Sequence, residues 1–287
     1  MVYYNNNFLH SPAGKINKKL LNQIKIDIST FINLNQDNIG ILARHKPHLL
    51  IPSIFHLSLD EEIKKNVDNF LGEKSVMWFS VFFIKKKRSK QYIPWHYDQY
   101  YWSYKLKKGC TLWLAVNDID ENMGPMEFAF EEVDTNIKQE ISNDPHNILA
   151  RGNSSTYTPQ PETKTGKVIL KEGEYSLHNN YAWHRSGTND SDYDRLGLAL
   201  RYVTLDVEPK TYKFIKRGCV GKGFNNNYFY EEKCPKKITK PLKNFDHLKS
   251  IIIFIFLSFF SDEKRNFFEK LTDLFKFIIS KKFFNKY

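Results

Sequence analysis

Hydrophobic and small or polar positions alternate almost without exception from Arg195 to Tyr202. Leu196, Leu198, Leu200 and Tyr202 fall on one face of a strand, and Arg195, Gly197 and Ala199 on the other. The aliphatic face predicts a packed surface, and the two small residues predict space beside the arginine. Thr111 to Val116 repeats the design, with Thr111, Trp113 and Ala115 opposite an aliphatic row. The stretch Gln91 to Asp98 is aromatic and β-branched, with Pro94 near its start, which predicts an edge strand. On it His96 and Asp98 point the same way and Tyr97 points opposite.

Helical spacing appears where this alternation stops. Ile16, Leu20, Leu21, Ile24 and Ile28 predict a surface helix over residues 16 to 33. A second helix opens at Leu57 to Asp60, with Ser58 as N-cap and Glu61 three residues on completing a capping box, and ends near Leu71-Gly72. Strands are expected from about 76 to 120 and from 167 to about 206, around a polar, loop-rich insertion at 131 to 165 that borders the active site. The domain reading is residues 1–75 as an N-terminal helical segment packing on the barrel, 76–215 as the β core, 216–245 as its C-terminal extension, and 246–287 as an amphipathic tail.

In that tail, Ile251 to Leu257 is continuously apolar but too short for the ~20 residues of a bilayer span. After Ser261-Asp262, Phe267, Phe268, Leu271, Leu274, Phe275, Ile278 and Ile279 form an apolar stripe, with lysines over much of the rest. Three readings stay open: packing on the barrel or a second subunit, an interfacial membrane helix, or an extension without a role.

A hydrophobic content of 41% within 287 residues is enough for one large β domain with helical decoration. The net charge of +11 permits attraction to anions, but the lysines are scattered and no nucleic-acid motif accompanies them. No nucleic-acid partner is expected, and a small anionic substrate fits the balance. Cys110, Cys219 and Cys234 show no paired spacing of the zinc-binding kind. Their odd count, behind an N-terminus without a basic and apolar leader, predicts a reducing cytoplasm.

Candidate chemistry lies in His96-Tyr97-Asp98, the distant His184, and Arg195 eleven positions later. Two imidazoles and a carboxylate can take three adjacent corners of an octahedral metal, the facial triad of non-haem Fe(II) oxygenases. The arginine supplies a fixed, always-charged fork for a carboxylate such as that of 2-oxoglutarate. Each residue alone has a plainer reading. His-x-Asp pairs are common, a lone histidine is more often structural, and Arg195 could pair with Asp192 or Asp194.

The flanking sequence favours the chemical reading. Ile41-Leu42-Ala43-Arg44-His45-Lys46-Pro47-His48, Phe83-Ile84-Lys85, Trp95-His96-Tyr97-Asp98, Trp113-Leu114-Ala115, Gly173 to His178, and His184-Arg185-Ser186-Gly187-Thr188-Asn189 with Arg195 follow one another in order. Over most of residues 40 to 235 the chain resembles the phytanoyl-CoA dioxygenase family. That resemblance implies a double-stranded β-helix, a cupin-like jelly roll, with N-terminal helices packed on the barrel. It implies Fe(II) on His96, Asp98 and His184, with 2-oxoglutarate and O2 as cosubstrates. Arg195 and Ser186 would hold the distal carboxylate, joined by Lys85 unless Lys85 belongs to the solvated run Lys85-Lys86-Lys87-Arg88. His178 and Trp113 are the candidate substrate contacts, His178 competing with a strand-end histidine of no role.

The resemblance also implies a function: hydroxylation of a small molecule with release of succinate and CO2. Desaturation, cyclisation or a non-catalytic binding barrel are the alternatives. Asp98 favours hydroxylation, because related halogenases carry a small residue there. The family usually enters a Pro-Gly-Ser-His turn after Glu127. Here Phe128-Ala129-Phe130-Glu131-Glu132 stands in its place, which leaves the substrate pocket unassigned.

Overall fold

The computed structural model describes residues 2–4, 8–35, 46–102, 104–105, 108–131, 139–142, 144–149, 153–209, 217–219 and 230–237. The tail at 246–287 lies outside the described residues, so its three readings stand as they were.

The main strands are β1 (Val2–Tyr4), β2 (Leu9–Lys15), β3 (Ser75–Lys85), β4 (Ile93–His96), β5 (Gly109–Ala115), β6 (Met126–Ala129), β7 (Thr165–Val168), β8 (Glu174–Asn179), β9 (Trp183–Ser186) and β10 (Arg195–Thr204). Six form a sheet in the order β1-β2-β8-β5-β10-β3, and four form a second in the order β7-β6-β9-β4. All pairings within the two sheets are antiparallel. Val81, Trp113, Ala115 and Ala199 from the larger sheet pack with Met126, Phe128 and Val168 from the smaller, so the two layers face one another as in a jelly roll.

Helices cover the other side of the large sheet. α1 (Lys18–Asn35) buries Leu21, Ile24, Ile28 and Phe31 on one stripe. α2 (Pro52–Ser58) and α3 (Glu61–Leu71) add Ile54, Phe55, Leu57, Ile63, Val67 and Phe70 to the same core. Leu112, Leu114, Leu198, Leu200 and Tyr202 meet them from β5 and β10. Each such leucine contributes roughly 1.5–3 kcal/mol by leaving water.

Three local expectations are corrected. The cap of α3 is Asp60, whose carboxylate accepts from the Glu62 and Ile63 amides at 3.1 Å. Ser58 instead closes α2, its buried hydroxyl donating to the Phe55 carbonyl at 2.6 Å. The helix does stop at Gly72, which sits in the left-handed region at φ 72°. The N-terminal segment is more than helical, since β1 and β2 extend the large sheet at the edge opposite β3. Finally, in the 131–165 insertion, Ser155 donates to the Trp95 carbonyl at 2.6 Å and Tyr157 packs on the Trp95 and Trp183 rings. Those tryptophans neighbour His96 and His184 in sequence and so point away from them, which places this part of the insertion behind the smaller sheet.

Candidate metal centre

β4 and β9 are neighbours in the smaller sheet, and their register sets His96 directly opposite His184. The imidazole rings lie 4.0 Å apart between centroids. The strand carrying His96 ends there. Tyr97 stays extended and Asp98 opens a 3-10 turn (Asp98–Tyr100), so the carboxylate still projects toward the same space. Ligand atoms of His96, Asp98 and His184 all lie within 4.8 Å of one another, and all three residues are buried.

The hydrogen bonds around this cluster fix the form of each ligand. His96 Nδ1 meets the Pro94 carbonyl at 3.0 Å, and His184 Nδ1 meets the Ala182 carbonyl at 2.9 Å. A carbonyl only accepts, so both Nδ1 atoms carry the proton and both Nε2 lone pairs are free for a metal. Asp98 is anchored on both oxygens: Arg201 Nη2 donates to Oδ1 at 2.9 Å, and Thr111 Oγ1 donates to Oδ2 at 2.6 Å. Burial lowers His96 to about 4, against the pull of Asp98. Burial, with His96 and His178 nearby, holds His184 well below its ordinary value. Burial opposes the charge on Asp98, but Arg201 and the surrounding histidines hold it well below the usual carboxylate range. Neutral imidazoles and an ionised carboxylate are the protonation states that divalent iron requires.

Beside the triad, β10 and β3 place Arg195 opposite Lys85. Both are buried, and neither has a carboxylate partner among the described residues. Lys85 Nζ donates to Ser186 Oγ at 2.7 Å and to the Gly187 carbonyl. Arg195 Nη1 donates to the Gly124 carbonyl, while its Nε has no partner. Burial, reinforced by Arg195, pulls Lys85 well below its ordinary value. Burial alone brings Arg195 to about 10, still charged at neutral pH. Two buried cations without a counter-ion are costly unless an anion joins them.

The space expected beside Arg195 is filled by Trp113. The Arg195 guanidinium lies over the indole at 5.3 Å, and a Cβ on Gly197 would clash with that ring. Ser186 and Arg195 both line the cleft, which also touches the triad, Phe83, Ile93 and Met126. Asn189, whose amide donates to the Lys85, Lys86 and Tyr193 carbonyls, ties down the turn between Ser186 and Arg195. His178 lines the cleft too, with neither ring nitrogen hydrogen-bonded. Its Nε2 is 3.7 Å from Asp98 Oδ2, a Coulombic contact rather than a hydrogen bond. Phe128, where the family turn is replaced, stacks on His184 at 5.4 Å.

Arg201 and Thr111 went unrecognised as site residues in the sequence. The signal was available for Arg201, because period two continues from Arg195 through Gly197 and Ala199 to Arg201. Thr111 is its cross-strand partner on β5.

Facing antiparallel layers, a buried His-x-Asp and His cluster, and an arginine without a counter-ion among the described residues define a 2-oxoglutarate-dependent non-haem iron dioxygenase. The chain belongs to the phytanoyl-CoA dioxygenase (PhyH) family, whose profile matches residues 32–197, more than half of its 287 residues. No curated protein matches it. Among solved structures it is similar to apo ThoJ, a non-heme monooxygenase, at 18% identity and TM-score 0.69, covering 95% of this chain and 96% of that one. It is similar to the epimerase SnoN in complex with Fe3+, alpha ketoglutarate and nogalamycin RO, at 14% identity and TM-score 0.55, covering 82% and 90%. EctD from S. alaskensis with 2-oxoglutarate and 5-hydroxyectoine also matches, at 12% identity and TM-score 0.55, covering 72% and 76%. At these identities the likeness concerns the fold. No helix among the described residues is long and apolar enough to cross a membrane.

Proposed function

We propose that this protein hydroxylates a small polar or anionic metabolite at the expense of 2-oxoglutarate. In this reading His96 Nε2, His184 Nε2 and Asp98 hold Fe(II), and Arg201 and Thr111 orient Asp98 from behind. Arg195 and Ser186 receive the distal carboxylate of 2-oxoglutarate. Lys85 positions Ser186 and adds its charge to the same end. The pair of buried cations next to the triad is the observation that carries the proposal, because a dicarboxylate supplies the missing counter-ion. Trp113 belongs to this cosubstrate end, beneath Arg195, rather than to the substrate as its place in the sequence had suggested.

Bound iron and 2-oxoglutarate supply the oxidative step, in which O2 gives one oxygen atom to succinate and one to the substrate. The residues of the chain position the reactants and keep water out. Phe83, Ile93 and Met126 provide apolar walls. His178 presents unpaired ring nitrogens to the cleft and is our candidate contact for a polar group of the substrate. The net charge of +11 supports an anionic substrate.

A metabolite screen for substrate-dependent succinate release, with product analysis under labelled O2, tests this directly. A product carrying one labelled oxygen per succinate is expected. A desaturated or cyclised product without label would replace hydroxylation by another outcome. A folded protein that binds no 2-oxoglutarate would leave only a binding barrel.

A further inference from the structure

A second group of ligand-type atoms meets away from the cleft, near the β3 edge of the large sheet. A ring nitrogen of His48, Cys219 Sγ and a carboxylate oxygen of Glu232 lie within 4.8 Å of one another, all on buried residues. His48 belongs to the 3-10 turn Pro47–Leu49. Cys219 and Glu232 follow a short parallel ribbon, Arg217–Gly218 with Tyr230–Glu231. The Cys219 amide donates to the Met77 carbonyl on β3 at 2.8 Å, and the Glu232 amide to the Gly218 carbonyl at 2.9 Å. Residues remote in sequence are thereby drawn to one point.

We propose that this cluster binds a divalent cation of the zinc type and fastens the C-terminal segment to the edge of the sheet. The donor set is one imidazole nitrogen, one sulfur and one carboxylate oxygen, which suits zinc and does not suit calcium or magnesium. The atoms not facing the centre are already held by outer partners, as ligands of a metal usually are. His48 Nδ1 lies 2.5 Å from Ser80 Oγ, and Lys46 Nζ donates to Glu232 Oε1 at 2.9 Å. Glu232 Oε2 and His48 Nε2 face each other at 2.9 Å.

That contact, with Ser80 and Lys46, makes a complete hydrogen-bond chain that needs no thiol. Cys219, packed at the edge of the helix-side core and hydrogen-bonded with Ser58, brings a sulfur donor into the same small volume. Binding replaces protons in a balanced way. The Cys219 S–H bond breaks, its proton goes to solvent, and a sulfur–metal bond forms. The His48 proton facing Glu232 moves to Nδ1, where the Ser80 hydroxyl can accept as readily as it donates. A thiolate and a carboxylate then neutralise the cation, and the fourth tetrahedral position is left to water. Cys234 is not part of the set, since its sulfur contacts His56 Nε2 at 3.7 Å and is exposed.

The test uses the full chain and Co(II) as a spectroscopic substitute for zinc. The iron triad has no sulfur, so a thiolate-to-cobalt charge-transfer band reports only this cluster. We expect the wild type to show that band and to lose it when zinc is added. Cys219→Ser should abolish the band and remove one equivalent of bound cobalt, while Cys234→Ser retains both. Glu232→Gln serves as the second variant if Cys219→Ser does not fold, and should weaken cobalt binding at least ~10-fold. Folded wild type without a thiolate band, or a band that survives Cys219→Ser, overturns the proposal whatever the state of the iron triad.

Discussion

β10 presents Leu196, Leu198, Leu200 and Tyr202 to the helices and Arg195, Gly197, Ala199 and Arg201 to the cleft. One face closes a core of apolar contacts, with the Tyr202 hydroxyl donating to the Ser58 carbonyl at 3.3 Å. The other holds buried charges in a low-dielectric space, at a cost that only a metal and an anion recover. The same ten residues therefore carry stability on one side and chemistry on the other, and substitutions on the two faces should fail in different ways.

The largest effect belongs to Asp98→Ala, which should abolish turnover while the circular dichroism of the fold is kept. Leu200→Ala, on the opposite face, should cost about 2–5 kcal/mol of stability in urea denaturation. It should leave the 2-oxoglutarate KM of the folded enzyme unchanged. Arg195→Leu should raise that KM roughly 10- to 100-fold, the loss of about 1.5–3 kcal/mol of charge-assisted hydrogen bonding. Because it also removes a buried cation without a counter-ion, the metal-free protein should melt no lower than wild type. A Leu200-like drop in melting temperature would break the comparison. Arg201→Gln should weaken iron binding about 10- to 100-fold through Asp98, with a smaller change in 2-oxoglutarate affinity.

The most gradual effect is in pH. The folded His96 titrates near 4 and the unfolded one near 6.5. Between these values the unfolded chain binds more protons, so the metal-free protein loses stability as pH falls through that window. The slope is at most about 1.4 kcal/mol per pH unit for each such group. His184, also lowered, acts in the same direction. Denaturation of metal-free protein at several pH values should show the decline, and saturating metal should suppress it.

What the sequence revealed follows the same division. Alternation along β5 and β10 identified both faces, because period two is a local property of a strand. His96, Asp98, His184 and Arg195 were readable because spacing and order are visible without coordinates. The counter-ion problem of Lys85 was hidden, since a lysine in a basic run reads as solvated until β3 and β10 set it opposite Arg195. Trp113 was placed on the cleft face by alternation, but its position against Arg195 was not visible in the sequence, because only the cross-strand register brings the two together. Asp60 displaced Ser58 as a cap because a separate short helix ends at Ser58. The His48, Cys219 and Glu232 cluster had no spacing signal at all, its members being brought together by tertiary contacts alone.

The central claim is that the polar face is a site for iron and 2-oxoglutarate together. Anaerobic titration of metal-free protein with Fe(II) and 2-oxoglutarate measures this most directly. The account predicts a visible iron-to-2-oxoglutarate charge-transfer band that saturates at one equivalent, is absent in Asp98→Ala, and requires much more 2-oxoglutarate in Arg195→Leu. A folded wild type that develops no band, or an Asp98→Ala variant that develops it undiminished, would contradict the account.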